Sequence, residues 1–221
     1  MNDIRSLGRI SYKIDGPIKK EILPLFSIPV CLFELDIDKT YQNKIEKIIN
    51  NLDYRIIENA NCCISENVHI FKDKVFNKLS KKIKECVNYF NDEIMQYESN
   101  NFEITTSWAT RCDKNQESMR HKHSNNMYSA VYYNKCKEDH SHLTFFNHQY
   151  NPHGYELRPK TDSLFNAGNW SIVPRDNLLV VFPSYLYHQI QKNVGNEPRQ
   201  SIACNLRPTG QYGMSDSLII K

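Results

Sequence analysis

A chain of 221 residues, 40% hydrophobic and 24% charged, has the size and balance of a globular domain that can bury a sizeable core. Its formal net charge of +3, with lysines spread along the chain, gives no strong nucleic-acid signal. No apolar run approaches the roughly 20 residues needed to cross a bilayer, so no membrane partner is expected.

The start, MNDIRSLGRISYKID, lacks the apolar core of a signal peptide. The seven cysteines are odd in number and form no CxxC pair, which fits reduced thiols in the cytoplasm better than a disulfide framework. Residues 1–22 read as a polar N-terminal arm, and Pro24 to Leu35 as a buried first strand. A helical layer is expected over about 38–98. Asp38 or Thr40 can cap a helix carrying Ile45, Ile48, Ile49 and Leu52. A longer helix follows, with Val75, Leu79, Ile83, Val87, Phe90 and Ile94 on one stripe and lysines opposite.

Eight short β-type runs fill residues 102–208: ITTSWAT, MYSAVYY, HLTFF, YELR, NWSIV, NLLVVFP, LYHQIQ and QSIACNL. Turn-forming Pro152, Gly154, Pro159, Gly168, Pro174 and Gly195 fall between them. Close spacing of short strands predicts a jelly roll or barrel. The expected architecture is α+β: N-terminal packing helices, then a jelly roll, in one domain over residues 23–221.

Within the β zone lies Arg120-His121-Lys122-His123-Ser124-Asn125, and much later Tyr187-His188-Gln189-Ile190. Histidines at i and i+2 of an extended chain share a face, so His121 and His123 can hold one metal ion. His188, also in a strand context, can close a three-ligand face that leaves positions open for a chelating cosubstrate and oxygen. Arg199, eleven positions after His188, follows a hairpin-length connection that returns the chain beside the same cavity. Its guanidinium can take a carboxylate bidentately, with Ser201 on the same side.

The segment from Ser107 to Gly213 resembles the Fe(II)/2-oxoglutarate oxygenase superfamily, and more narrowly a poorly characterised bacterial and phage branch related to prolyl hydroxylases. The resemblance rests on SWAT (107–110), HKHSNNMYSAVYY (121–133), LLVVFPSYLYHQI (178–190), PRQSIACNL (198–206) and GQYGMSDS (210–217). PLFSIPV is similar to that branch's opening strand, and a bacterial or phage source fits the Lys-, Ile- and Asn-rich composition. The resemblance implies a double-stranded β-helix, cupin-like, with Fe(II) as metal and 2-oxoglutarate as cosubstrate. It implies hydroxylation of a small-molecule or peptide substrate with release of succinate and CO2. It places His121 and His188 as ligands, Arg199 with Ser201 on the cosubstrate's far carboxylate, and Tyr133 rather than Tyr132 as a further hydrogen-bond donor.

Where the superfamily carries a carboxylate, this chain has His123. Either His121, His123 and His188 make a three-histidine site, or His123 is the first ligand and Asn125 stands at the carboxylate position. The first is favoured because an amide is a poor iron ligand. Two rivals compete with the oxygenase: a three-histidine cupin-type dioxygenase or isomerase without 2-oxoglutarate, and a non-catalytic jelly-roll binding module.

Among the other histidines, His140, His142, His148 and His153 are expected at the surface or rim, and His69 in a structural role. Trp108 and Trp170 are expected in the core, and the pocket lining from residues 111–120 and 134–172.

Overall fold

The computed structural model describes residues 26–57, 60–98, 101–137, 139–147, 154–155 and 157–213. The expected arm over 1–22, Pro24 and Leu25 of the first strand, His148, His153 and the end of the closing GQYGMSDS stretch lie outside them.

In chain order come β1 (Cys31–Glu34), α1 (Lys39–Asn50), β2 (Tyr54–Ile56), β3 (Cys63–Ser65), α2 (Asn77–Tyr89), β4 (Asn101–Cys112) and β5 (Tyr128–Tyr132). There follow β6 (Leu143–Phe146), β7 (Asn169–Ile172), β8 (Leu178–Pro183), β9 (His188–Ile190) and β10 (Arg199–Thr209). Asp38 is the cap of α1, its carboxylate accepting the Tyr41 N–H at 2.9 Å.

Seven strands form a large antiparallel sheet in the order β1-β8-β5-β10-β4-β3-β2, and three form a small one, β7-β6-β9. The period of two decides what each face of the large sheet meets. Tyr128, Ala130, Tyr132, Leu179, Val181, Ile202 and Leu206 pack with Ile45 and Ile49 of α1 and Leu79, Ile83 and Val87 of α2. The alternate residues Val131, Tyr133, Leu178, Val180, Phe182 and Ala203 pack with Leu143 and Phe145 of the small sheet. This explains why β5 and β8 are buried at every position: both of their faces are covered.

Several sequence expectations are corrected. The supposed helical zone contains the β2–β3 hairpin, which extends the large sheet beyond β4. Its three-residue strands are too short to show a period of two against the flanking helical patterns. Tyr155, Leu157 and Arg158 of YELR are in no strand, while Glu156 lies outside the described residues. Leu52 falls past the end of α1, and Val75 and Ile94 sit in a 3-10 and a π turn that flank α2, with Ile94 exposed.

Candidate metal centre

His121 and His123 precede β5, and His188 opens β9. His121 and His188 are locked backbone to backbone as an isolated bridge, each donating its N–H to the other's carbonyl at 3.0 and 2.9 Å. The His123 N–H is held by the Ser184 carbonyl at 2.9 Å. Alternation then sends the imidazoles of residues 121 and 123 inward, while Arg120 and Lys122 turn out onto the rings of Phe146 and Tyr187. The three histidine rings lie 4.4–5.1 Å apart between centroids. One ring nitrogen from each comes within 4.8 Å of the others.

Two of the rings are oriented from behind. His121 Nδ1 lies 2.8 Å from the Met119 carbonyl, and His188 Nδ1 lies 2.9 Å from the Leu186 carbonyl. A carbonyl can only accept, so Nδ1 carries the proton and the Nε2 lone pair is free for a metal. Burial holds all three imidazoles below the ordinary histidine range. His123 is lowered to about 4, His188 is lowered further by its two neighbours, and the Met119 hydrogen bond partly offsets the effect at His121. All three are therefore neutral at pH 7, the form that ligates.

Arg199 begins β10 with no exposed surface. Its Nη1 donates to Ser201 Oγ at 2.8 Å and its Nη2 to Tyr133 Oη at 2.7 Å, and its Nε is buried without a partner. Among the described residues no carboxylate pairs with it. A buried guanidinium without a counter-charge costs several kcal/mol, so the site fits an anion. Tyr132 points to the opposite face, where its hydroxyl donates to Asn177 at 2.8 Å.

The histidines, Arg199 and Ser201 line one cavity, which opens to solvent. Asn125 is not brought to it: it sits exposed on a turn, with φ of +61°. Among the described residues of the two expected lining stretches, only Ser118 and Leu143 contribute, while Ile57, Cys62 and Ile64 of the hairpin region were not anticipated. Ser129 and Asn205 were also missed. They face the cavity from β5 and β10, hydrogen-bonded together at 2.8 Å. Their signal was the inward register they share with Val131 and Ala203.

Trp108 borders the cavity with its ring 5.6 Å from that of His123. Trp170 is not core: β7 is an edge strand, and the row His188–Phe145–Trp170 leaves the indole 51% exposed at the rim. His140 is buried rather than superficial. Its Nδ1 accepts the Lys137 N–H at 3.2 Å, and its Nε2 is enclosed without a partner. His69 is exposed and ties the chain through its backbone, as a bridge to Ser107.

Two facing antiparallel sheets with a three-histidine cluster and a buried arginine between them define a double-stranded β-helix with a candidate metal centre. Residues 106–205, which hold every residue of the cluster, match the family described as putative 2OG-Fe(II) oxygenase. No curated protein matches the chain.

Among solved structures, a Pseudomonas putida prolyl-4-hydroxylase superposes with a TM-score of 0.58 at 14% identity, over 83% of this chain and 95% of that one. HygX from Streptomyces hygroscopicus, with nickel, 2-oxoglutarate and hygromycin B bound, gives 0.57 at 10%, over 82% and 84%. A Trichoplax adhaerens prolyl hydroxylase, in complex with a hypoxia inducible factor peptide fragment, gives 0.56 at 12%, over 80% and 83%. At these identities the likeness is one of fold. Among the described residues no helix is long and apolar enough to cross a membrane.

Proposed function

We propose that this oxygenase hydroxylates a peptide or small-molecule substrate, using Fe(II) held by His121, His123 and His188 and 2-oxoglutarate anchored on Arg199. One observation carries the reading: three neutral imidazoles converge in the same cavity as a buried arginine with no carboxylate partner among the described residues. The fit is chemical on both counts. Three nitrogen donors on one side suit a divalent transition metal with open positions, and an unsatisfied guanidinium suits the far carboxylate of a dicarboxylic keto acid. Bound there, the metal and keto acid supply the oxidising power, with succinate and CO2 released.

The chain's own contribution is placement. The carbonyls of Met119 and Leu186 fix the tautomers and aim of His121 and His188. Arg199, steadied by Ser201 and Tyr133, sets how far the keto acid reaches toward the histidines. Phe182, Leu143 and Val131 give the cavity an apolar lining, which favours displacement of water by a bound ligand.

A second reading keeps the metal but dispenses with 2-oxoglutarate. Its support is the third histidine, which leaves the metal one unit more positive than a two-histidine, one-carboxylate set would. Arg199 speaks against it, since a reaction without a carboxylate cosubstrate gives the buried cation nothing to bind.

The test is succinate production by anaerobically purified, Fe(II)-loaded protein supplied with 2-oxoglutarate and air, beside His188→Ala. Slow turnover without added substrate, abolished in the variant, is expected. Retained iron without succinate and without 2-oxoglutarate binding would favour the second reading.

A further inference from the structure

Cys62 and Cys112 stand together at one end of the cavity. In the antiparallel pairing of β3 with β4, Cys63 faces Arg111 and Ile64 faces Thr110. One step along the same register, Cys62 stands opposite Cys112. The backbone makes this a non-hydrogen-bonded position. The Cys62 carbonyl accepts the Ile57 N–H at 3.1 Å on the β2 side, away from β4. The Cys112 carbonyl accepts the Asn193 side-chain amide at 3.0 Å, toward the β9–β10 connection. Opposed residues at such positions have Cα atoms about 4.5 Å apart, within the span of a disulfide.

Both thiols are fully buried in one small cluster with Ile190. Each is a free cysteine. Arg199 is paired with Cys112 on the other side of β4, and Cys62 lines the same cavity as Arg199. The neighbouring Cys112 thiol, and then the Arg199 charge, hold the Cys62 thiol below its ordinary range against burial; Cys112 is pushed upward. Cys62 borders the cavity and Cys112 does not, which makes Cys62 the attacker and Cys112 the resolver.

We propose that Cys62 and Cys112 are a peroxide-reactive dithiol on the cavity wall, Cys62 attacking and Cys112 resolving. The Cys62 thiolate attacks one oxygen of hydrogen peroxide, the O–O bond breaks, and the departing hydroxide takes a proton to leave as water. The resulting sulfenic acid is attacked by Cys112, its S–O bond breaks, and the hydroxide leaves as a second water with the Cys112 proton. Two sulfurs give up two electrons and one peroxide accepts them. A ligand filling the cavity covers Cys62, so 2-oxoglutarate protects the pair; this last point rests on the function proposed above.

The test treats the full chain with hydrogen peroxide in the presence of a chelator, alkylates the remaining thiols and maps the peptides. A Cys62–Cys112 link is expected, with Cys112→Ser leaving a trappable sulfenic acid on Cys62. Both cysteines recovered alkylated, under conditions that oxidise the partly exposed Cys31 or Cys63, would overturn the proposal whether or not the variant folds. With Zn(II) in place of chelator, 2-oxoglutarate is expected to slow linkage at least several-fold. An unchanged rate in protein that calorimetry shows to bind 2-oxoglutarate would overturn the cavity as the route to Cys62. Absence of 2-oxoglutarate binding would instead overturn the function on which that step rests.

Discussion

Replacing Arg199 by methionine removes the guanidinium while keeping a flexible side chain of similar length. In the chain without ligand, two effects oppose each other. Tyr133 Oη and Ser201 Oγ lose their donor, at about 1–3 kcal/mol each. Against this, a fully buried cation with no carboxylate and an unpartnered Nε disappears, which relieves several kcal/mol of desolvation. The net change in stability is expected within about 2 kcal/mol, a Tm shift of less than about 8 °C for a chain of this size. Binding has no such compensation. Removing one partner of a buried ion pair costs about 3–5 kcal/mol, so 2-oxoglutarate affinity should fall roughly 150- to 5,000-fold. Calorimetric titration of Ni(II)-loaded protein measures the affinity, and thermal unfolding of the same preparations without ligand measures the stability. Unchanged affinity would refute the assignment of Arg199 to the carboxylate. A Tm loss far beyond that range would show instead that the arginine serves the fold.

Two other perturbations separate the site from its scaffold. His123→Ala should weaken Co(II) binding at least 100-fold, whereas His123→Asp, which supplies an anionic ligand in its place, should stay within about tenfold of wild type; titration by cobalt absorption decides, and a His123→Ala protein that binds normally would exclude His123 as a ligand. Leu79→Ala, at a fully buried position where α2 packs on the large sheet, should cost about 2–5 kcal/mol in chemical denaturation and leave metal affinity in the folded protein unchanged.

Much of the site is legible in residue order because it depends on local rules. An HxH spacing in an extended chain puts two imidazoles on one face whatever surrounds them, and the apolar strand ending in FPS carries His188 to the same end of the barrel. Tyr133 and Tyr132 are separated by the same alternation, one toward Arg199 and the other toward Asn177. The helical stripe through Leu79, Ile83 and Val87 and the Asp38 cap were equally readable, each being settled within a few turns of chain.

What sequence alone could not supply depends on contacts distant along the chain. The β2–β3 hairpin has too few residues per strand to reveal a period, and it exists because β4 offers it an edge. His140 looks superficial among polar neighbours, yet it is enclosed. Nothing in the order of residues says that Arg199 lacks a carboxylate, or that Cys62 faces Cys112 with Arg199 on the next strand. Local sequence determined which side chains share a face. Tertiary structure decided which faces meet and which polar groups are left without a partner, because burial and charge pairing are properties of the assembled sheets rather than of any one strand.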